Sequence, residues 1–375
     1  MSRVLQHLER LVGMACLPGA PNGEIAGYVA DVLERAAARV HRVTDESGEK
    51  TGIFAGIGPE GAGGVMLSGH MDVVPVEGQA WSSDPFTLRR DGGRVYGRGT
   101  TDMKGFLACM LAVAEEAGTQ AGALARPLKF AFSWDEEIGC RGIPVMLDRL
   151  DETVGAPEMA IIGEPTRMQI ATGHKGKMSL RALCRGEAGH SADAPRYANA
   201  LHRAAEMIGA LRDEQARLER EGARDEGYGT ATSTVHAGVM RGGRALNIVP
   251  EEAEILFEIR NLAGDDPEAI LARLEAAAAR IGGVEIGRTG GYPGLEAARD
   301  GAAVKAMQGL LPEAALTKVS YGTEAGHFAA RRIGAVVCGP GDMAQGHKAD
   351  EFIEIAQLEG CSAMLGRLVQ NLRDR

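Results

Sequence analysis

This chain has no excess of positive charge, no Cys-x-x-Cys pair, no long apolar run and no internal repeat. Its formal net charge is −10, and it has no basic stripe interleaved with aromatics. Nucleic acid and anionic membranes, which both demand a basic surface, are therefore excluded as main partners. The six cysteines, Cys16, Cys109, Cys140, Cys184, Cys338 and Cys361, are widely spaced. They form neither a redox nor a zinc-thiolate motif and read as reduced core residues. No segment reaches the roughly 20 apolar residues of a membrane span. Val4 to Val12 alternates apolar and charged residues at helical spacing where a signal peptide would run uninterrupted. A cytoplasmic location is expected.

What is present is a soluble globular composition, 45% apolar and 25% charged, over 375 residues, long enough for two domains. Four short aliphatic runs, Val65 to Leu67, Leu128 to Phe132, Ala160 to Ile162 and Ala335 to Cys338, read as buried parallel strands. Each ends in glycine, serine or charge: Ser68-Gly69-His70-Met71-Asp72, Ser133-Trp134-Asp135-Glu136-Glu137, Gly163-Glu164-Pro165-Thr166, and Gly339-Pro340-Gly341 leading to His347. In an open α/β sheet, sites form outside the carboxyl ends of the strands, so these distant side chains are expected to converge.

Helical stretches are expected at Glu24 to Val40 and Met103 to Ala117. From residue 177 to 290 the pattern changes to strand, long helix (Pro195 to Glu221), two strands, helix (Pro267 to Arg280) and a last short strand at Val284 to Ile286. That order is the split β-α-β motif of a ferredoxin-like domain. The expected organisation is a catalytic domain over 1–176 and 291–375, with residues 177–290 inserted between its two halves.

Five residues offer metal-ligand chemistry: His70, Asp102, Glu137, Glu164 and His347. His70 and Asp72, two apart on an extended segment, face the same side, where Asp72 can hold the imidazole while its other nitrogen binds metal. Asp102 lies in the glycine-rich turn Gly97 to Gly105, where it reads either as a helix cap or as a carboxylate shared by two ions. Glu136 and Glu137 diverge, so one can bind metal while the other takes a proton. His347 alone is a loop histidine, and His190 cannot be placed near the sheet by spacing.

The motifs Ser68 to Pro75, Thr101 to Gly105, Asp135-Glu136-Glu137, Gly163 to Thr166, His174-Lys175-Gly176, Gly189-His190-Ser191 and Gly346 to Glu351 resemble, in order, those of the M20 family of metallopeptidases and deacylases. Tyr321 to Ala325 and the His-Lys-Gly segment are most similar to its acetylornithine deacetylase branch. The resemblance implies two zinc ions per subunit, with cobalt as a substitute, bridged by Asp102. His70 and Glu164 would complete one site, Glu137 and His347 the other. Glu136 would be the general base, Asp72 the orienter of His70, and His190 a residue reaching a partner's site across a homodimer, which would make residues 177–290 a dimerisation and lid domain. Asn247 and Arg260 match substrate-binding positions, Arg260 holding a carboxylate, and the Asp102-Met103 peptide is expected to be cis. Glu324 is the candidate partner for a substrate ammonium.

The chain departs from the family pattern at Glu258, where Asp is commoner, at Gly346 and Ala349 beside His347, and at His327. The implied reaction is hydrolysis of an N-acyl amino acid, N-acetyl-L-ornithine first. Desuccinylation of succinyl-diaminopimelate, general N-acyl amino acid hydrolysis, dipeptidase activity and a catalytically dead amino-acid-binding scaffold are the alternatives.

Overall fold

The computed structural model describes residues 2–373. The chain separates into two compact units, one of Met1–Gly173, Leu295–Val319 and Thr323–Arg375, the other of His174–Gly294 and Ser320–Gly322.

The first unit is built on a mixed sheet. Its four inner strands, Leu128–Ser133, Val65–His70, Met159–Pro165 and Gly334–Gly339, lie side by side and parallel. Thr51–Ile57 and Arg39–Thr44 extend one edge antiparallel, and Ile170–His174 pairs antiparallel at the other. Every residue of the first three inner strands is buried. Runs such as Val-Met-Leu therefore show no alternation, because helices cover both faces of such strands.

Helix Gly105–Gly118 is buried along ten of its fourteen residues, and it packs against helices Ser2–Val12 and Ile355–Arg373. A helix apolar nearly all round can only sit between layers. Two glycines let it approach the sheet. A β-carbon at Gly163 would collide with the Phe106 ring, and one at Gly69 would meet Leu107 and Met103.

One expected helix ends early. It spans Gly23–Arg35, not as far as Val40, and Ala37 takes a left-handed φ of 56° before strand Arg39–Thr44. The run Ala36-Ala37-Ala38 favours helix, but Val40, Val43 and Thr44 are β-branched and pair with Thr51–Ile57.

The second unit carries a four-stranded antiparallel sheet in the order Thr234–Gly242, Glu252–Asn261, Gly176–Arg185, Val284–Tyr292. Helices Ala200–Glu221 and Pro267–Ile281 pack on one of its faces. The chain order is the split β-α-β arrangement. Met178, Leu180, Phe257 and Ile259 from the sheet meet Ala204, Met207 and Leu211 from the long helix, each large side chain contributing about 1.5–3 kcal/mol by leaving water. The long helix starts at Ala200, not Pro195, because the Asn199 side chain caps it by accepting from Leu201 N and His202 N. The last strand reaches Tyr292, beyond the expected Ile286, through a bulge between Arg288 and Gly290.

Candidate metal centre

The sheet delivers the candidate ligand residues to one place in the first unit. His70 is the last residue of its strand, Glu164 the penultimate residue of the neighbouring one, and Glu136 and Glu137 follow the end of Leu128–Ser133. Asp102 enters from the tight turn Thr100–Lys104, whose Asp102-Met103 peptide is cis as expected. His347, with a left-handed φ of 61°, comes from the loop after Gly334–Gly339.

Asp102 stands between the two imidazoles. Its Oδ1 lies 3.3 Å from His70 Nε2 and its Oδ2 3.0 Å from His347 Nε2. His70 Nε2 is also 3.6 Å from Glu164 Oε1, and His347 Nε2 3.1 Å from Glu137 Oε2. One carboxylate thus presents one oxygen to each of two histidine-glutamate pairs. Ligand atoms of His70, Asp102 and Glu137, and of His70, Glu136 and Glu164, fall within 4.8 Å of one another.

Negative charge is in excess here. Burial, with repulsion from neighbouring carboxylates, lifts Glu136 and Glu164 well above the usual carboxylate range and Glu137 to about 7. Hydrogen bonds to Asp102 and Glu137 push His347 up to about 10. Burial opposes charge on His70, yet Glu164, Asp102 and Asp72 together raise it. Asp102 moves the other way, its burial outweighed by the two imidazoles. Glu137 Oε1 and Glu164 Oε2 are buried without a hydrogen-bond partner, which is costly unless something else satisfies them. Imidazole nitrogen and carboxylate oxygen suit zinc and related divalent ions, so the residues present fit a pair of such ions.

The other candidates lie in different surroundings. Asp72 sits at the cluster, but His70 Nδ1 is closer to its main-chain carbonyl (2.9 Å) than to its carboxylate (3.5 Å). The Asp72 carboxylate instead accepts from Glu136 N and Glu137 N, tying the His70 segment to the glutamate turn. Glu324 differs most from expectation. It is 1% exposed, and its oxygens accept from Ser133 Oγ and Ser68 Oγ. Burial pushes it up to about 7. Both oxygens are engaged by serines, a setting that gives Glu324 a bracing role beside the substrate role expected for it. Glu324 braces strands Val65–His70 and Leu128–Ser133 two residues before His70 and Asp135. In the second unit, His190 and Asn247 are exposed neighbours: Ser191 N donates to Asn247 O, and His190 pairs with Ile248. Arg260 stands apart from them, held by Glu258 and Tyr292.

Sequence reasoning gave no role to three residues. Glu351, 1% exposed, accepts from Thr101 N and Asp102 N through Oε1, and from Gly99 N and Arg98 Nη1 through Oε2. It clamps the Asp102 turn to the His347 loop. Cys140, with a left-handed φ of 55°, donates its thiol to Glu136 Oε1 at 3.3 Å. Lys50 pairs with buried Asp135 at 2.6 Å. No spacing signal marks Glu351 or Lys50, because their partners are main-chain amides or residues far away in sequence, and Cys140 reaches Glu136 four residues back only through its left-handed turn.

Comparison with known proteins bears on this centre. The family model "Peptidase family M20/M25/M40" matches residues 66–371. An acetylornithine deacetylase of Myxococcus xanthus is 33% identical over 381 residues, covering 96% of this chain and 95% of that one. One of Proteus mirabilis is 33% identical over 357 residues, covering 93% and 90%. The fold is that of an M20 family metallo-carboxypeptidase of Sulfolobus solfataricus, with TM-score 0.82 at 18% identity and complete coverage of both chains. It is also that of a dinuclear metal-binding M20 peptidase of Bacillus subtilis, with TM-score 0.69 at 16% identity and coverage of 98% and 97%. The resemblance read from the motifs holds over nearly the whole length, and the chain is a hydrolase belonging to peptidase family M20/M25/M40.

Proposed function

We propose that this enzyme hydrolyses the N-acyl amide bond of an amino acid, N-acetyl-L-ornithine to L-ornithine and acetate, with two divalent metal ions, zinc first. The observation that carries the chemistry is Asp102, whose two oxygens face two histidine-glutamate pairs. His70, Asp102 and Glu164 would hold one ion, and Asp102, Glu137 and His347 the other. Bound there, the ions supply Lewis acidity and acidify water toward a nucleophile at neutral pH.

Glu136 does the proton work. It lies among the ligands without being needed as one, and it takes the proton of the attacking water and returns it to the leaving amine. Burial raises its carboxyl above the usual carboxylate range, the direction that suits a proton acceptor. Cys140 fixes one of its oxygens and leaves the other to work. Asp72 holds the glutamate turn in register with His70. Arg260 takes the substrate carboxylate. The choice of ornithine rests on the similarity to acetylornithine deacetylases, with Glu324 the proposed partner of its side-chain ammonium.

A homodimer through the 177–290 region, with His190 acting on the partner's substrate, belongs to the same reading. Six cysteines, all unpaired, fit a reducing cytoplasm. Among the described residues no helix is long and apolar enough to cross a membrane.

The test is steady-state hydrolysis of N-acetyl-L-ornithine, N-succinyl-diaminopimelate and N-acetyl-L-methionine, with zinc or cobalt added and with chelator as control. A kcat/KM preference for acetylornithine, abolished by chelator, is expected. Preference for either competitor overturns the substrate, and activity indifferent to chelator overturns the metal centre. Mixing His190→Ala with Glu136→Ala protein should restore activity through hybrid dimers, and no recovery under subunit exchange refutes action in trans.

A further inference from the structure

Arg260 is built into its place by a residue with no role so far. The register sets Arg260, Lys177 and Tyr292 side by side across three strands of the second unit. They share the face away from the helices, because Met178 and Ile259 fill the other. Two residues back on the same strand and face, Glu258 accepts from Arg260 Nε at 2.9 Å and lies 3.5 Å from Lys177 Nζ. Two cations thus share one carboxylate, and the three side chains together carry one positive charge.

The far side of the guanidinium is held by Tyr292. Arg260 Nη1 donates to the Tyr292 hydroxyl at 2.5 Å, and Arg260 Cζ lies 5.9 Å from the ring centroid. His174 packs edge-on against that ring at 6.2 Å between centroids. Gly322 completes the support: a β-carbon there would collide with the hydroxyl end of Tyr292. Nη2 of Arg260 has no protein partner among the described residues, and it is the nitrogen that Glu258 and Tyr292 leave for a ligand.

We propose that Tyr292 is the positioning residue that aims Arg260 at the substrate carboxylate, with Gly322 keeping the space its hydroxyl needs. An arginine free to rotate loses rotamer entropy when it binds a carboxylate, whereas one held at Nε and Nη1 is already oriented. The inference rests on the reading of Arg260 as the carboxylate ligand, and the experiment separates the two.

KM and kcat are measured for N-acetyl-L-ornithine and for its carboxamide, which lacks the anion, in the unaltered enzyme and in Tyr292→Phe, Gly322→Ala and Arg260→Ala. Tyr292→Phe keeps the ring and its packing. It should raise KM for the acid about ten-fold, with kcat within about two-fold and the carboxamide unaffected. Gly322→Ala should shift KM in the same direction, and Arg260→Ala should erase the preference for acid over carboxamide. If Arg260→Ala erases that preference while Tyr292→Phe leaves KM for the acid unchanged, the role of Tyr292 is overturned and that of Arg260 stands. If the unaltered enzyme treats acid and carboxamide alike, the Arg260 reading fails and this proposal with it.

Discussion

Replacing Glu351 with glutamine changes one oxygen to nitrogen in a side chain that is 1% exposed. The carboxylate receives four hydrogen bonds, from Thr101 N, Asp102 N, Gly99 N and Arg98 Nη1. A carboxamide keeps one acceptor and turns two donors toward groups that are themselves donors. The substitution also strips the charge from the partner of Arg98, itself 1% exposed. Removing one member of a buried pair costs about 3–5 kcal/mol, because an uncompensated charge stays behind. With an m value of about 3 kcal/mol per M of urea, the unfolding midpoint falls by roughly 1–1.7 M. Urea titration followed by tryptophan fluorescence reads this directly. Adding Arg98→Met to Glu351→Gln should recover part of the loss, since the stranded cation is removed. A Glu351→Gln midpoint within about 0.2 M of the parent would refute the clamp.

Three further outcomes follow from the geometry. Glu136→Gln should retain both metal equivalents on dialysis yet lose at least about 10²-fold in kcat, and loss of metal instead would mean that Glu136 is a ligand. Glu324→Gln should depress turnover of N-acetyl-L-ornithine and N-acetyl-L-methionine alike, through Ser68 and Ser133. A KM increase confined to the ornithine substrate would instead assign it as the ammonium partner. Glu214 is held by Arg217 and Arg273, which outweigh its burial and lower its pKa. Its stabilisation is therefore full above the unfolded carboxylate value and fades as pH falls through the lower folded one. Glu214→Gln should cost about 2 kcal/mol at pH 7 and progressively less below about pH 4. Thermal melts across that range test the sign, and a gap unchanged at pH 3 contradicts it.

How much could be read in advance depended on where each residue finds its partners. His70, Glu137 and Glu164 were legible because buried strands leave unbroken aliphatic runs, and charge just past such a run has few other uses. Their shared location follows from parallel strands presenting their carboxyl ends on one side. Glu351 was hidden because it bonds to main-chain amides, which are the same in every sequence. The bracing contacts of Glu324 were hidden because nothing local shows that Ser68 and Ser133, far earlier in the chain, meet it. Strand Val284–Tyr292 read short because Gly287, Gly290 and Gly291 carry no side-chain alternation, although its backbone pairs as far as Lys177. The stretch Ala36 to Val40 read as helix because local propensity favours it up to Ala38. Tertiary pairing decided otherwise.

The contact between Phe106 and Gly163 gives the metal centre a gauge. Phe106 stands four residues after Asp102, and Gly163 one before Glu164, with the ring filling the room where a side chain at 163 would be. The spacing between Asp102 and Glu164 is therefore set by the thickness of an aromatic ring. Two residues that donate no atom to a metal act as a feeler gauge for the gap, and a change of volume at either one alters its width while leaving every ligand in the sequence.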